Sequence, residues 1–313
     1  MNPKLTFEEK KQIAKLLQDA YEKFNSWQKV ANVCGISDST AHMMSSMKYD
    51  TKGDDAWMKV KASLSHMPDS STGWVIAETA NKKSITRLLN LAKDRSMWVP
   101  IAENGGAGKS VATKLYYTAD KSQSVFRIEC RKWGRREFLQ KWCRSLGLNP
   151  DNGLKTIDDL IEMITDFFKV RAKSKPQQIV DQINSLKPAA LTSLIFIHNE
   201  CEGFLSVVPV GTGNLEKTIK NGVRYNIDGF DELDSRLGRN YIHLNGYTID
   251  DVIKICEANG VKSREIQSRI FEECHPVRKQ IGDGAGKHHV RFVEDCRRIR
   301  RCVERELLKA NLN

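Results

Sequence analysis

Residues 103–110 read Glu-Asn-Gly-Gly-Ala-Gly-Lys-Ser, a composition suited to holding phosphate. Gly106 and Gly108 let backbone N–H groups turn toward phosphate oxygens, and Asn104, Gly105, Ala107 and Val111 frame the same anion site. Lys109 would reach the β- and γ-phosphates, and the Ser110 hydroxyl would ligate Mg²⁺. The context is a strand at 98–102 before the loop and a helix at 111–119 after it, whose N-terminal dipole favours an anion. The full pattern G-x-x-x-x-G-K-[ST] has glycine where this chain has Glu103. A carboxylate there repels a triphosphate unless it swings away.

ATP chemistry also needs an acid at the end of a neighbouring strand. Ile179-Val180-Asp181 supplies Asp181 for the Mg²⁺ shell. The next residue in hydrolytic proteins of this kind is a glutamate that deprotonates water; here it is Gln182. Glutamine keeps the shape but takes no proton, and loss of a general base costs ~10²–10⁴ in rate. The sequence therefore predicts ATP binding with slow or absent turnover. Glu103 and Glu200 are the substitute carboxylates.

These groups need an α/β scaffold, a parallel sheet flanked by helices. Strands are predicted at 98–102, 125–129, 178–181, 205–210 and 241–244, and helices at 138–146, 157–168 and 191–199. Before this core, Ile13, Leu16, Leu17, Ala20, Tyr21 and Phe24 mark one helix face, with Thr6 to Glu9 as a capping box. Residues 27–44 form a helix-turn-helix pattern: Val30 and Ala31 inward, Gly35 in the turn, Ser37 as cap, Ala41 and Met44 inward. The exposed residues of its second helix, among them Asp38, Ser39, Thr40, His42 and Met43, are not basic, which leaves open a DNA reader or a small helical domain that binds protein or nothing. A Pro/Ser/Gly linker falls at 66–73, and a helix at 79–93 leads into the core. After it, 246–313 reads as helices alone, at 249–258, 263–274 and 289–310. The predicted domains are a helix-turn-helix domain at 1–70, linker and entry helix at 71–95, the core at 96–245 and a helical lid at 246–313.

This order resembles an AAA+ ATPase: phosphate loop, strand ending in Asp181, Gln-Ile-Asn-Ser-Leu-Lys-Pro-Ala-Ala-Leu, a strand entering Gly211-Thr-Gly-Asn-Leu-Glu, and Asp234-Ser-Arg-Leu-Gly-Arg239. With the leading helix-turn-helix it is similar to the phage Mu B-type transposition ATPases, the target-selection group. The resemblance implies that Thr212 or Asn214 is the polar sensor, Arg236 and Arg239 the fingers that complete a neighbouring subunit's site, and Arg291 the lid's sensor early in the last helix. It implies a homo-oligomeric filament or ring on double-stranded DNA that marks target DNA and activates a transposase, in the cytoplasm of a bacterial or phage-infected cell. A non-hydrolysing ATP-bound DNA scaffold, and a replication initiator or helicase loader, share the same core.

The 313 residues carry a net charge of +11, spread as +4, +4 and +3 over 1–95, 96–245 and 246–313. An ordinary basic enzyme has the same surplus, but locally it concentrates. Arg131, Lys132, Trp133, Arg135 and Arg136, with Lys141, Trp142 and Arg144 on the next helix, form a cationic loop suited to a duplex backbone without reading sequence. The arginines from 297 to 301 offer a second such face, or a solvated one. The polar start predicts no signal peptide, and no apolar run is long enough for a membrane helix. The eight cysteines show no C-x-x-C and match no zinc-finger spacing, so reduced thiols are expected.

Overall fold

The computed structural model describes residues 5–24, 26–49, 54–65, 73–281 and 287–312. Of the expected linker, 66–72 lies outside these residues. The chain divides into two units, Met1–Trp74 with Thr118–Gln123, and Val75–Tyr117 with Ser124–Asn313.

The first unit holds α1 (Phe7–Phe24), α2 (Trp27–Cys34), α3 (Asp38–Ser45) and α4 (Asp55–Ser65). Its capping box forms: Thr6 N–H donates to Glu9 Oε2 at 2.8 Å, and Glu9 N–H to Thr6 Oγ1 at 3.2 Å. Gly35 ends α2 in the left-handed region (φ 65), and Ser37 Oγ accepts the Thr40 N–H at 3.1 Å to start α3. Ile13, Leu17, Val30, Ala31, Ala41, Met44 and Trp57 bury together. Asp38, Ser39, His42 and Met43 remain on the open face of α3.

The second unit begins with α5 (Ala80–Asp94), β1 (Ile101–Ala102) and α6 (Lys109–Ala119), followed by β2 (Val125–Glu129), α7 (Arg135–Ser145) and α8 (Ile157–Lys169). Next come β3 (Gln177–Asp181), α9 (Pro188–Leu191), α10 (Ser193–Cys201), β4 (Ser206–Gly211), α11 (Gly213–Arg224) and α12 (Phe230–Arg236). The strands run parallel in the order β1-β4-β3-β2. Alternate residues point to opposite faces and both faces are covered. Ile179 and Val208 pack with Ile85 and Leu89 of α5, while Val180 and Val207 pack in the core that holds Phe138, Leu160 and Leu215. The strand expected at 241–244 condenses to one parallel bridge, Ile101 to Ile242, outside β1.

The C-terminal region contains α13 (Ile249–Ala258), α14 (Arg264–Glu273) and α15 (Cys296–Leu312). It also contains β5 (Val277–Ile281) and β6 (His288–Phe292), an antiparallel pair. This corrects the helices-only reading of 246–313 and the helix expected from residue 289. The cause is long-range. Val293 exchanges backbone hydrogen bonds with Tyr247 at 2.8 Å each way, which holds the chain extended past β6. Only then does Asp295 Oδ1 accept the Arg297 N–H at 2.9 Å and start α15. No described helix is long and apolar enough to cross a membrane.

Candidate functional site

The glycine loop leaves β1 and runs into α6. Gly106 and Gly108 hold φ of 90 and 83. A Cβ on Gly106 would stand 1.9 Å from Asp295 Oδ1, and one on Gly108 2.6 Å from Tyr247 Oη, so both must be glycine. The loop carbonyls are tied from three elements. Cys296 N–H donates to Gly106 O at 3.0 Å, Asn81 Nδ2 to Ala107 O at 3.3 Å, and Tyr247 Oη to Gly106 O at 3.5 Å. Lys109, 8% exposed, donates to the Glu103 and Asn104 carbonyls at 2.6 and 2.9 Å. Burial pushes its ammonium below the usual lysine range, against the pull of Glu103 and Asp181.

Glu103 turns away from the loop. Its Oε1 accepts the Asn104 N–H at 2.9 Å and its Oε2 the Leu244 N–H at 2.9 Å. The carboxylate thus staples the 241–244 segment beside β1 and clears the phosphate site.

Ser110 Oγ donates to Asp181 Oδ1 at 3.2 Å, joining the expected metal ligands. Asp181 is 2% exposed, and its other oxygen accepts from Arg127 Nη2 at 2.5 Å. Gln182 follows in the left-handed region (φ 55), an unusual backbone for a non-glycine residue. Its Nε2 donates to Glu129 Oε1 at 2.8 Å. The sequence reading missed both Arg127 and Glu129. Their period-two spacing on β2 placed them on one face; their register opposite Ile179 and Asp181 was not readable locally.

Thr212 lies at the exit of β4. Its N–H donates to Asn184 Oδ1 at 3.0 Å, and its buried Oγ1 has no partner in the protein. Asn214 is exposed on the first turn of α11. Arg236 donates to Asn199 Oδ1 and Glu232 Oε1, both at 3.1 Å. Arg239 is more exposed and reaches Asp231 at 3.0 Å. Val111 is exposed at the start of α6.

Arg291 is on β6 rather than early in the last helix. It pairs with Glu272 and lies over the Phe271 ring at 5.1 Å. The arginine that approaches the loop from α15 is Arg297, whose Nη1 is 3.8 Å from where a Cβ on Gly105 would be. A cleft of about 310 Å³ lies between α5, the 242–248 segment and the β5–β6 pair, lined in part by Asn81, Leu88, Leu244 and Phe292.

These residues fit a magnesium-bearing triphosphate. Gly106 and Gly108 have no room for a Cβ, a hydroxyl and a carboxylate meet at the loop's edge, and the buried Thr212 hydroxyl has no partner in the protein.

In the cationic loop, Arg131, Lys132 and Arg136 are exposed. Arg136 Nη1 donates to Lys155 O at 2.7 Å. Trp133 packs against the core, and Arg135 Nε donates to Ala189 O at 2.9 Å. Trp142 is fully buried with its indole N–H on Gln178 Oε1 at 2.9 Å, which removes it from any surface contact. Arg144 pairs with Asp151 at 2.7 Å.

Residues 101–219 match the family model described as AAA domain. Similar solved structures are Cdc6p from Pyrobaculum aerophilum and the Aeropyrum pernix Orc1 protein in complex with DNA. The first is 14% identical, covers 65% of this chain and 57% of its own, with a TM-score of 0.48. The second is 14% identical, covers 78% and 63%, with a TM-score of 0.49. This chain thus spans less than two thirds of either. No curated protein matches it.

Proposed function

We propose that the protein is an ATP-dependent, DNA-binding AAA+ protein that assembles with copies of itself on double-stranded DNA and, in its ATP state, engages a transposase. The carrying observation is the convergence of Lys109, the Ser110–Asp181 pair and Arg297 on one glycine loop. Bound Mg²⁺-ATP supplies the phosphoanhydride whose charge these groups offset. Lys109 exchanges two backbone carbonyls for phosphate oxygens, Ser110 and Asp181 hold the metal, and the Thr212 hydroxyl meets the terminal phosphate. The cleft beside α5 takes the base. In this reading Arg239, exposed past α12, serves a neighbouring subunit's nucleotide, with Arg236 beside it.

The DNA reading is supported by the α2–α3 helix-turn-helix and by the exposed Arg131 and Lys132. The transposase is supported by the order of helix-turn-helix, ATPase core and a C-terminal region of helices with the β5–β6 pair. The reading puts the protein on DNA in the cytoplasm of a bacterial or phage-infected cell.

Fluorescence anisotropy of a labelled duplex tests it, with ATP, with ADP and without nucleotide, for the wild type and Lys109→Ala. Binding is expected to tighten at least ten-fold with ATP in the wild type only. Binding indifferent to nucleotide overturns the reading. Pull-down against a transposase and a replicative helicase separates this partner from the loader alternative.

A further inference from the structure

Gln182 leaves no proton acceptor directly after Asp181, yet a carboxylate stands one hydrogen bond away. We propose that Glu129, at the end of β2, is the general base of ATP hydrolysis and that Gln182 positions it. This rests on the nucleotide-site reading above.

Four observations carry it. Glu129 lies in register with Asp181 across the parallel β2–β3 pair, so the two carboxylates share one edge of the sheet. Gln182 Nε2 grips Glu129 Oε1 at 2.8 Å, which joins the end of β2 to the residue where a base is expected. Arg127, two residues before Glu129 on the same face of β2, bonds Asp181 at 2.5 Å and Glu129 at 3.3 Å. Finally, the two carboxylates divide the work by exposure. Asp181 is 2% exposed and fully committed to Ser110, the Gln182 N–H and Arg127, while Glu129 is 52% exposed and open to water.

The other acids do not qualify. Glu103 is bonded to the Asn104 and Leu244 N–H groups and Glu200 to Lys169, and neither is tied to Asp181 or Gln182 as Glu129 is. The carboxylate and amide have therefore changed places. The usual position after the metal aspartate carries the amide, and the neighbouring strand carries the acid.

In the step itself a water oxygen attacks the γ-phosphorus. The bond from that phosphorus to the β–γ bridging oxygen breaks, and its electron pair leaves with ADP. The water proton passes to the Glu129 carboxylate and then to solvent, releasing inorganic phosphate.

The test uses the full chain with duplex DNA, Mg²⁺ and α-labelled ATP, comparing the wild type with Glu129→Gln. Three quantities are read: ATP affinity, phosphate release, and the identity of the nucleotide retained on the protein. Glu129→Gln is expected to bind ATP within about two-fold of the wild type, to lose ~10²–10⁴ of turnover, and to retain ATP where the wild type retains ADP. Equal turnover in the variant overturns the proposal, as does a wild type that binds ATP and retains it uncleaved. A wild type that binds no ATP fails at the affinity measurement and overturns the nucleotide site along with it.

Discussion

The side chain of Glu103 and the backbone of Leu244 meet at 2.9 Å, carboxylate oxygen to N–H, across the open side of β1. The acid that stands where a phosphate-loop glycine is usual therefore serves the sheet. It secures the 241–244 segment, which has few other backbone bonds to β1.

Glu103→Gly would restore the general loop pattern and still weaken the protein. Leaving the Leu244 N–H without its charged acceptor costs about 1–3 kcal/mol. At the usual scaling for a chain of this size that lowers Tm by roughly 2–4 °C per kcal/mol. Differential scanning calorimetry checks it; a Tm equal to or above the wild type sinks the staple.

Gly106→Ala meets Asp295 at 1.9 Å with φ at 90. Overpacking of this kind costs ~1–3 kcal/mol, and the neighbour it displaces begins α15. The expected result is loss of ATP binding together with a lower Tm. Gly105→Ala has room, with Arg297 at 3.8 Å, and should keep its Tm. Equal behaviour of the two variants would count against the close approach of Asp295.

Arg297→Ala should weaken ATP binding by about ten-fold, since a charge-assisted hydrogen bond is worth ~1.5–3 kcal/mol. Arg291→Ala, paired with Glu272 on β6, should leave it within two-fold. Isothermal titration with ATP and Mg²⁺ distinguishes them, and the reverse ranking would return the lid's phosphate contact to Arg291.

Arg131→Glu with Lys132→Glu should lower duplex affinity and flatten its salt dependence by one to two phosphate contacts, without altering Tm. Arg135→Glu should lower Tm instead, because that guanidinium holds Ala189 O and Thr192 Oγ1. An unchanged salt slope in the double variant removes the loop from the interface.

Thiol reactivity follows from burial. Desolvation pushes Cys34, Cys143 and Cys256 up to about 11 and Cys201 and Cys274 up to about 12. The thiolate fraction at pH 8 is then ~10⁻³ or less, and thiolate is the nucleophile. Iodoacetamide at pH 8 should leave these five unmodified in the native protein and label them on unfolding, as read by peptide mass mapping. Rapid native labelling of any of them contradicts the packing around it.

Much of the core was readable because β2, β3 and β4 are apolar runs closed by turn residues, and α8 and α13 begin at Thr caps that form as capping boxes. The loop, Asp181 and their adjacency were legible for the same local reason. What escaped was set by register. Arg127 and Glu129 acquire meaning only beside β3. The β5–β6 pair carries Arg278, Gln280, His288 and His289 on exposed positions, which reads as a solvated helix until Tyr247 pairs with Val293. Trp142 looked like a partner for the cationic loop, but helical spacing turns it to the interior with Phe138.

The bond from Cys296 to Gly106 gives the phosphate loop and α15 a shared joint. Reshaping of the loop around a triphosphate would carry the first turn of that helix with it. Over its 17 residues, at about 1.5 Å each, the helix is a lever of roughly 25 Å. A small shift at the loop would therefore be magnified toward the C-terminal end of α15.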